Sequence, residues 1–168
     1  MAKYGKEQYI RKTYEPTVLA YLAGIVDGEG SISAGSYSAS SIGTRQHTTY
    51  LSVTNTDKSL IDWLVFHFGS KAHPFTSKQL SKNSRKPAWR WQVSGDRLLH
   101  ICEEILPYIV AKKKQVEIMI KLRETYTKRT YEVGQRGPKI SQEIIDLRDS
   151  YVRELRACHI RTSSIKHF

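Results

Sequence analysis

Two carboxylates two residues apart, Asp27 and Glu29 in the string Asp27-Gly28-Glu29-Gly30, are the side chains of this sequence best suited to chemistry. They stand at the edge of a long stretch nearly free of acid. Carboxylates beside a basic surface are a means of holding a divalent metal at a phosphate. Hard oxygen ligands suit Mg²⁺, which keeps several waters and needs only one or two carboxylates from the protein. Taken alone, the same four residues also fit a turn that ends a helix. Other enzyme signatures are missing: no phosphate loop of the G-x-x-x-x-G-K-S/T kind, no G-x-G-x-x-G, no H-E-x-x-H and no C-x-x-C. The six histidines are scattered, which fits surface or core positions better than ligation.

Charge narrows the kind of partner. Lys and Arg number 27 against 16 Asp and Glu, giving +11 and a pI near 9.7. Such a balance calls for a polyanion. From Ser31 through Gly95 the only acids are Asp57 and Asp62, while Arg45, Lys58, Lys71, Lys78, Lys82, Arg85, Lys86 and Arg90 share that span. A solvated basic face is the plainer account of such a run. A membrane surface usually meets an amphipathic basic helix, and this segment does not read as helical.

The 168 residues suffice for one core, with 39% hydrophobic and 26% charged side chains. No apolar run approaches the ~20 residues of a membrane span. The basic start, Met1 to Lys6, leads into polar sequence from Glu7 to Glu15, so the apolar region of a secretory signal is missing. Cys102 and Cys158 make neither a metal-binding spacing nor a disulfide framework. An intracellular protein is expected, with no membrane and no small-molecule substrate among its partners.

The elements that must position the acidic pair follow from periodicity. Pro16 to Val26 predicts a helix, with Val18, Leu19, Leu22, Ile25 and Val26 on its apolar side. Ala20, Ala23, Gly24 and Gly28 form a small face that lets another backbone come close, and Gly28 and Gly30 are expected to stop the helix. Strands are predicted at Ser31–Tyr37 and Gln46–Asn55, with Leu51 and Val53 inward, and a helix capped by Thr56 or Asp57 runs to Phe68. Lys71–Ser77 and Ala88–Ser94 read as two more strands joined by a basic turn. Helices follow at Asp96–Leu106, Val110–Tyr126 and Ile140–Arg156, the last with its apolar stripe at Ile144, Leu147, Tyr151 and Leu155. The sum is an α+β chain in the order α-β-β-α-β-β-α with an extra C-terminal helix. Its expected divisions are an N-terminal arm (1–15), a core domain (16–126), and a connector, helix and basic tail (127–168).

The string Leu22-Ala23-Gly24-Ile25-Val26-Asp27-Gly28-Glu29-Gly30 closely resembles the signature nonapeptide of the LAGLIDADG homing endonucleases. The element order read above is also that family's, so the resemblance spans Pro16 to Tyr126. One copy of the nonapeptide is present. The resemblance therefore implies a homodimer paired through its signature helices, with Ala20, Ala23, Gly24 and Asp27 in the interface or, for Asp27, holding the helix end. It implies that Glu29 and the carbonyl of Gly28 bind the catalytic metal, Glu29 standing where the family name has Asp. Asn55, at the end of the second strand, matches the residue that orders the attacking water. Lys112, after Pro107-Tyr108, matches the lysine that stabilises charge near the scissile phosphate. Lys113, Lys114 and Gln115 compete for that role. A basic residue that some relatives place one turn after the amide would fall near Lys58 and Ser59.

For the strands, the resemblance implies an antiparallel sheet laid into the DNA major groove. The residues nominated for DNA binding are Ser33, Gly35, Tyr37, Gln46, Thr48, Tyr50, Ser52, Lys71, His73, Lys78, Arg90 and Gln92, with Arg85 and Lys86 on phosphates. Plain solvent exposure is the alternative for each. Trp89 and Trp91 are expected in the core. The implied activity is a Mg²⁺-dependent double-strand break in a long, partly palindromic DNA target. Mn²⁺ would substitute, and Ca²⁺ would permit binding without efficient cutting. An intron-splicing maturase that binds RNA, or a non-cleaving DNA-binding regulator, are the rival readings on the same fold.

Overall fold

A computed structural model describes residues 10–39, 44–75, 87–126 and 140–159. Pro16 opens the first helix, α1 (Pro16–Glu29), at a position where its missing N–H has no intrahelical partner to lose. Leu19, Leu22, Ala23, Ile25 and Val26 form its buried side. The helix passes directly into strand β1 (Gly30–Ala39). Gly28 lies inside the helix and does not stop it, correcting the expectation from sequence. The turn out of the helix falls at Gly30, which is extended and returns its N–H to the Val26 carbonyl. A Cβ at Gly30 would lie 2.7 Å from both Cα and the carbonyl oxygen of Val26, so only glycine fits this junction.

Strand β2 (Thr44–Asn55) pairs antiparallel with β1 over its full length, from Gly30↔Val53 to Ala39↔Thr44. Asp57 caps helix α2 (Lys58–Phe68) by accepting the Ser59 N–H, and Gly69, at φ 69°, ends it. Strands β3 (Ala72–Phe75) and β4 (Ala88–Val93) complete an antiparallel sheet in the order β1-β2-β4-β3. Helices α3 (Gly95–Ile105), α4 (Lys113–Glu124) and α5 (Gln142–Cys158) follow. Ile32, Leu51, Val53, Trp91 and Val93 present one face of the sheet to a single core shared with helical Leu22, Val26, Leu64, Leu98, Ile101 and Met119. Trp91 is fully buried and donates its indole N–H to the Gly69 carbonyl at 2.8 Å.

Two further helices differ from the sequence reading. α4 begins three residues later than its apolar pattern suggests, because the amides of residues 110–112 are bonded elsewhere. α5 buries Ile145, Arg148, Val152 and Leu155, whereas Leu147 is 44% exposed. The buried stripe is turned because Arg148 has partners: it bonds to the hydroxyl and carbonyl of Thr125 and stacks over the Tyr126 ring. Lys78, Arg85 and Lys86 lie outside the described residues, as do residues 1–9 of the N-terminal arm, 127–139 of the connector and the tail from 160. Among the described residues no helix is long and apolar enough to cross a membrane.

Candidate active site and nucleic-acid interface

The end of α1 is clasped from both sides by the loop that precedes α4. The Asp27 carboxylate accepts three successive backbone N–H groups, from Val110 (2.8 Å), Ala111 (3.1 Å) and Lys112 (2.9 Å). In return the Lys112 ammonium donates to the carbonyls of Val26, Asp27 and Gly30 at 2.8, 2.8 and 2.9 Å. Carbonyls at a helix end have no partner within the helix and carry its negative pole, so a cation is favoured there. Burial pushes the Asp27 carboxyl up, but the amides of Val110, Lys112 and Ala111 outweigh it, and the group lies below the ordinary carboxylate value. Burial likewise pushes the Lys112 ammonium below the usual lysine value, while the charges of Asp27 and Glu29 act against that shift.

This geometry changes two assignments. Asp27 fastens a loop of its own chain, so its carboxylate is not a surface group waiting for a dimer partner. Lys112 reaches the signature, whereas Lys113 and Lys114 are exposed at the start of α4, with Lys114 3.9 Å from Glu154, and Gln115 is half-buried. All three ammonium protons of Lys112 are directed at carbonyls. It therefore positions the signature backbone rather than pointing at a phosphate.

The three carbonyls that Lys112 takes skip Gly28. Gly28 and Glu29 are both exposed, at the last turn of α1. A carboxylate and a neighbouring carbonyl make a pair of hard oxygen donors, open to solvent and backed by a lysine charge. Asn55 ends β2 two residues beyond the partner of Gly30, which brings it to the same end of the sheet. Its side-chain oxygen accepts the Asp57 N–H at 2.8 Å, which fixes the amide's orientation. Lys58 is tied to Asp62 at 2.6 Å, and Ser59 is held by Asp57 through its N–H and hydroxyl.

The sheet face opposite the core carries the other nominated residues. Directly paired residues share a face, so the register places Tyr37 with Gln46, Gly35 with Thr48, Ser33 with Tyr50, Ser52 with Gln92, and His73 with Arg90 on that one face. Lys71 is exposed just before β3. Ser52 is only 6% accessible, hemmed in by β1 and β4, so it is not an exposed reader as expected. The sequence reading missed Thr54. It continues the same parity, pairs with Arg90 and takes its Nε–H at 3.4 Å, one row from the end of α1.

No family model and no curated protein matches this chain. Solved structures do. A homing endonuclease, I-CvuI, in complex with its target in the presence of Ca superposes with a TM-score of 0.60 at 18% identity, covering 89% of this chain and 85% of that one. The archaeal intron-encoded homing endonuclease I-Vdi141I, complexed with DNA, gives 0.66 at 13% identity over 89% and 88%. The LAGLIDADG homing endonuclease I-GzeII with its DNA target gives 0.58 at 17% identity, over 80% of this chain and 43% of that one. This chain has the LAGLIDADG homing endonuclease fold.

Within the LAGLIDADG fold the signature helix is α1, and its small residues do not all face the same way. Ala23 is fully buried in the chain's own core and cannot meet a partner, which corrects its assignment to an interface. Ala20 and Gly24 are exposed, and a Cβ added at Gly24 would meet nothing within 4 Å. Among the described residues nothing explains why position 24 is so small. The helical period turns Ala23 away from Ala20 by about 60° and from Gly24 by about 100°, a distinction that residue size alone does not reveal.

Proposed function

We propose that this chain is a site-specific DNA endonuclease that works as a homodimer and cuts both strands with a divalent metal. The observation that carries the reading is the exposed Glu29 carboxylate, set by the Asp27–Lys112 clasp at the end of a polar sheet face. The likeness to homing endonucleases solved with DNA supports it. Among the described residues no three His, Cys, Asp or Glu side chains come together, so the donor set does not suit a closed metal cage. It suits Mg²⁺, which takes one carboxylate, a carbonyl and phosphate oxygens. A cation there would supply Lewis acidity toward the scissile phosphate.

The chain's own residues then divide the work. Glu29 and the Gly28 carbonyl would hold the cation, Lys112 and Asp27 fix the backbone that presents them, and Asn55 would orient the attacking water. Tyr37, Gln46, Thr48, Tyr50 and Gln92 read base edges in the major groove, where each base pair shows a distinct donor and acceptor pattern. Exposed Ala20 and Gly24 allow two signature helices to approach closely, which brings two copies of Glu29 to two strands.

A cleavage selection on a randomised DNA library with Mg²⁺ tests this reading. The expected result is a recovered site with partial two-fold symmetry, cut on both strands, and no cutting in Ca²⁺. Recovery of no cut site by a folded, dimeric preparation would overturn it. Retention of a structured RNA in its place would favour the maturase.

A further inference from the structure

The outer half of the β1–β2 hairpin has little sheet to rest on. β2 pairs with β4 only from Leu51 to Asn55, and β1 is an edge strand, so residues 44–50 and their partners on β1 form a two-stranded ribbon. A two-stranded ribbon needs packing from behind to hold one shape. Its rear face is polar: Arg45, His47 and Thr49 alternate there with Gln46, Thr48 and Tyr50 in front. The rear side chains meet the late helices. Asp149, midway along α5, accepts from Arg45 Nε at 2.9 Å and from His47 Nε2 at 2.8 Å. The His47 side chain is 1% exposed and that of Asp149 15%, so this contact is well shielded from water.

Further bonds fix α5 itself. Arg148, the neighbour of Asp149, is anchored to Thr125 and Tyr126 at the end of α4. Near the C-terminal end of α5, His159 donates to the Ile32 carbonyl of β1 at 2.9 Å. Arg123 of α4 donates to Thr49 at 3.4 Å, and the Tyr126 hydroxyl donates to the His47 carbonyl at 3.3 Å. Because strand side chains alternate strictly, whatever holds 45, 47 and 49 from behind sets the direction of 46, 48 and 50 in front.

We infer that Asp149 is a positioning residue for sequence recognition: from the C-terminal helix it sets the twist of the outer hairpin and hence the aim of Gln46 and Thr48. This rests on the endonuclease reading for its DNA consequence, but its structural half stands without DNA. Buried polar contacts with directional partners specify one arrangement more sharply than apolar packing does. α5 is thus part of the recognition apparatus although none of the nominated base readers lies on it.

The test uses the full chain with Asp149→Asn, which keeps the shape of the side chain and removes its charge, and Asp149→Glu as the conservative variant. Hydrogen exchange on the free protein is expected to speed by ~10-fold or more at the amides of 45–48, with those of 51–53 changed less than about two-fold. The base-preference profile is expected to relax by ~10-fold at the outer pairs read by Gln46 and Thr48, and to hold at the pair read by Gln92. Asp149→Glu should restore part of both. Equal change across 45–53, or no change at 45–48, would overturn the inference whatever the DNA assay gives. A wild-type chain with no sequence preference would sink the endonuclease reading alone, since the exchange pattern still decides the hairpin.

Discussion

The two ends of the sheet are built on different physics. At the signature end, Ile32, Leu51, Val53 and Trp91 lie over a fully buried apolar core, and the site above them is fixed by bonds to backbone: three amides on Asp27 and three carbonyls on Lys112. At the outer end, the rear of the hairpin is polar and is held mainly by side-chain contacts to Asp149 and Arg123, with one longer bond from the Tyr126 hydroxyl to the His47 carbonyl. Backbone-directed bonds over a close-packed core tolerate little displacement. Side-chain contacts on a ribbon can be exchanged one at a time. A chemical step that needs reacting groups placed to within fractions of an ångström belongs at the first end. On the proposed endonuclease reading, recognition that changes with the target falls to the second.

The largest expected effect is at the signature end. Glu29→Gln should lower single-turnover cleavage by ~10³-fold or more while leaving DNA binding in Ca²⁺ and the melting temperature close to wild type. Cutting by this variant at near the wild-type rate would remove Glu29 from the site.

Next comes the junction beneath it. Gly30→Ala drives a Cβ to 2.7 Å from the Val26 backbone, with no flexible atom to yield, and should cost about 3 kcal/mol in urea unfolding. Gly28→Ala, two residues earlier and facing open space, should change stability by no more than about 0.5 kcal/mol. Equal losses at the two glycines would mean that the α1–β1 junction is looser than the contact implies.

The clasp should show a pH signature. Asp27→Asn removes the charge that three amides solvate and should cost about 1.5–3 kcal/mol at pH 7. The folded carboxyl lies below the ordinary value of 3.8, so its stabilisation is complete above that value and is lost as the pH falls through the lower, folded one. The gap in unfolding midpoint between wild type and Asp27→Asn should therefore be constant from pH 7 to 5 and close in stronger acid. A gap that widens in acid would contradict the assigned direction.

The smallest effect is expected at the outer hairpin. Arg45→Ala breaks a contact to Asp149 from a side chain that is 49% exposed, and should cost about 0.5 kcal/mol or less. A loss as large as that from Asp27→Asn would erase the contrast between the two ends.

Much of this was legible in the residues. Pro16, the apolar spacing of α1, the alternation of Leu51 and Val53 with polar neighbours, and the caps at Asp57 and Gly69 each bias a short stretch of chain through local sterics and solvation. The nonapeptide marked Glu29 as the carboxylate to watch. Local rules also gave the parity of the sheet, because alternation is a property of the strand itself. They failed where a residue's role depends on what packs against it. Ala23 and Gly24 are both small, yet one fills the core and the other faces outward. Ser52 has the outward parity but is closed in by strands on both sides.

By itself, then, the sequence determined the element order, the charge, which strand residues share the face opposite the core and the acid at the end of α1, since these follow from nearest-neighbour geometry and composition. Only the tertiary structure decided what holds that acid in place. Asp27 meets amides more than 80 residues away, and Asp149 meets His47 across 102 residues. Such pairings leave no periodic trace, because the chain separation between partners is set by the fold as a whole. For the same reason a buried Arg148 interrupts the apolar stripe of α5 unannounced: its burial is stabilised by Thr125 and Tyr126, which no local pattern connects to it.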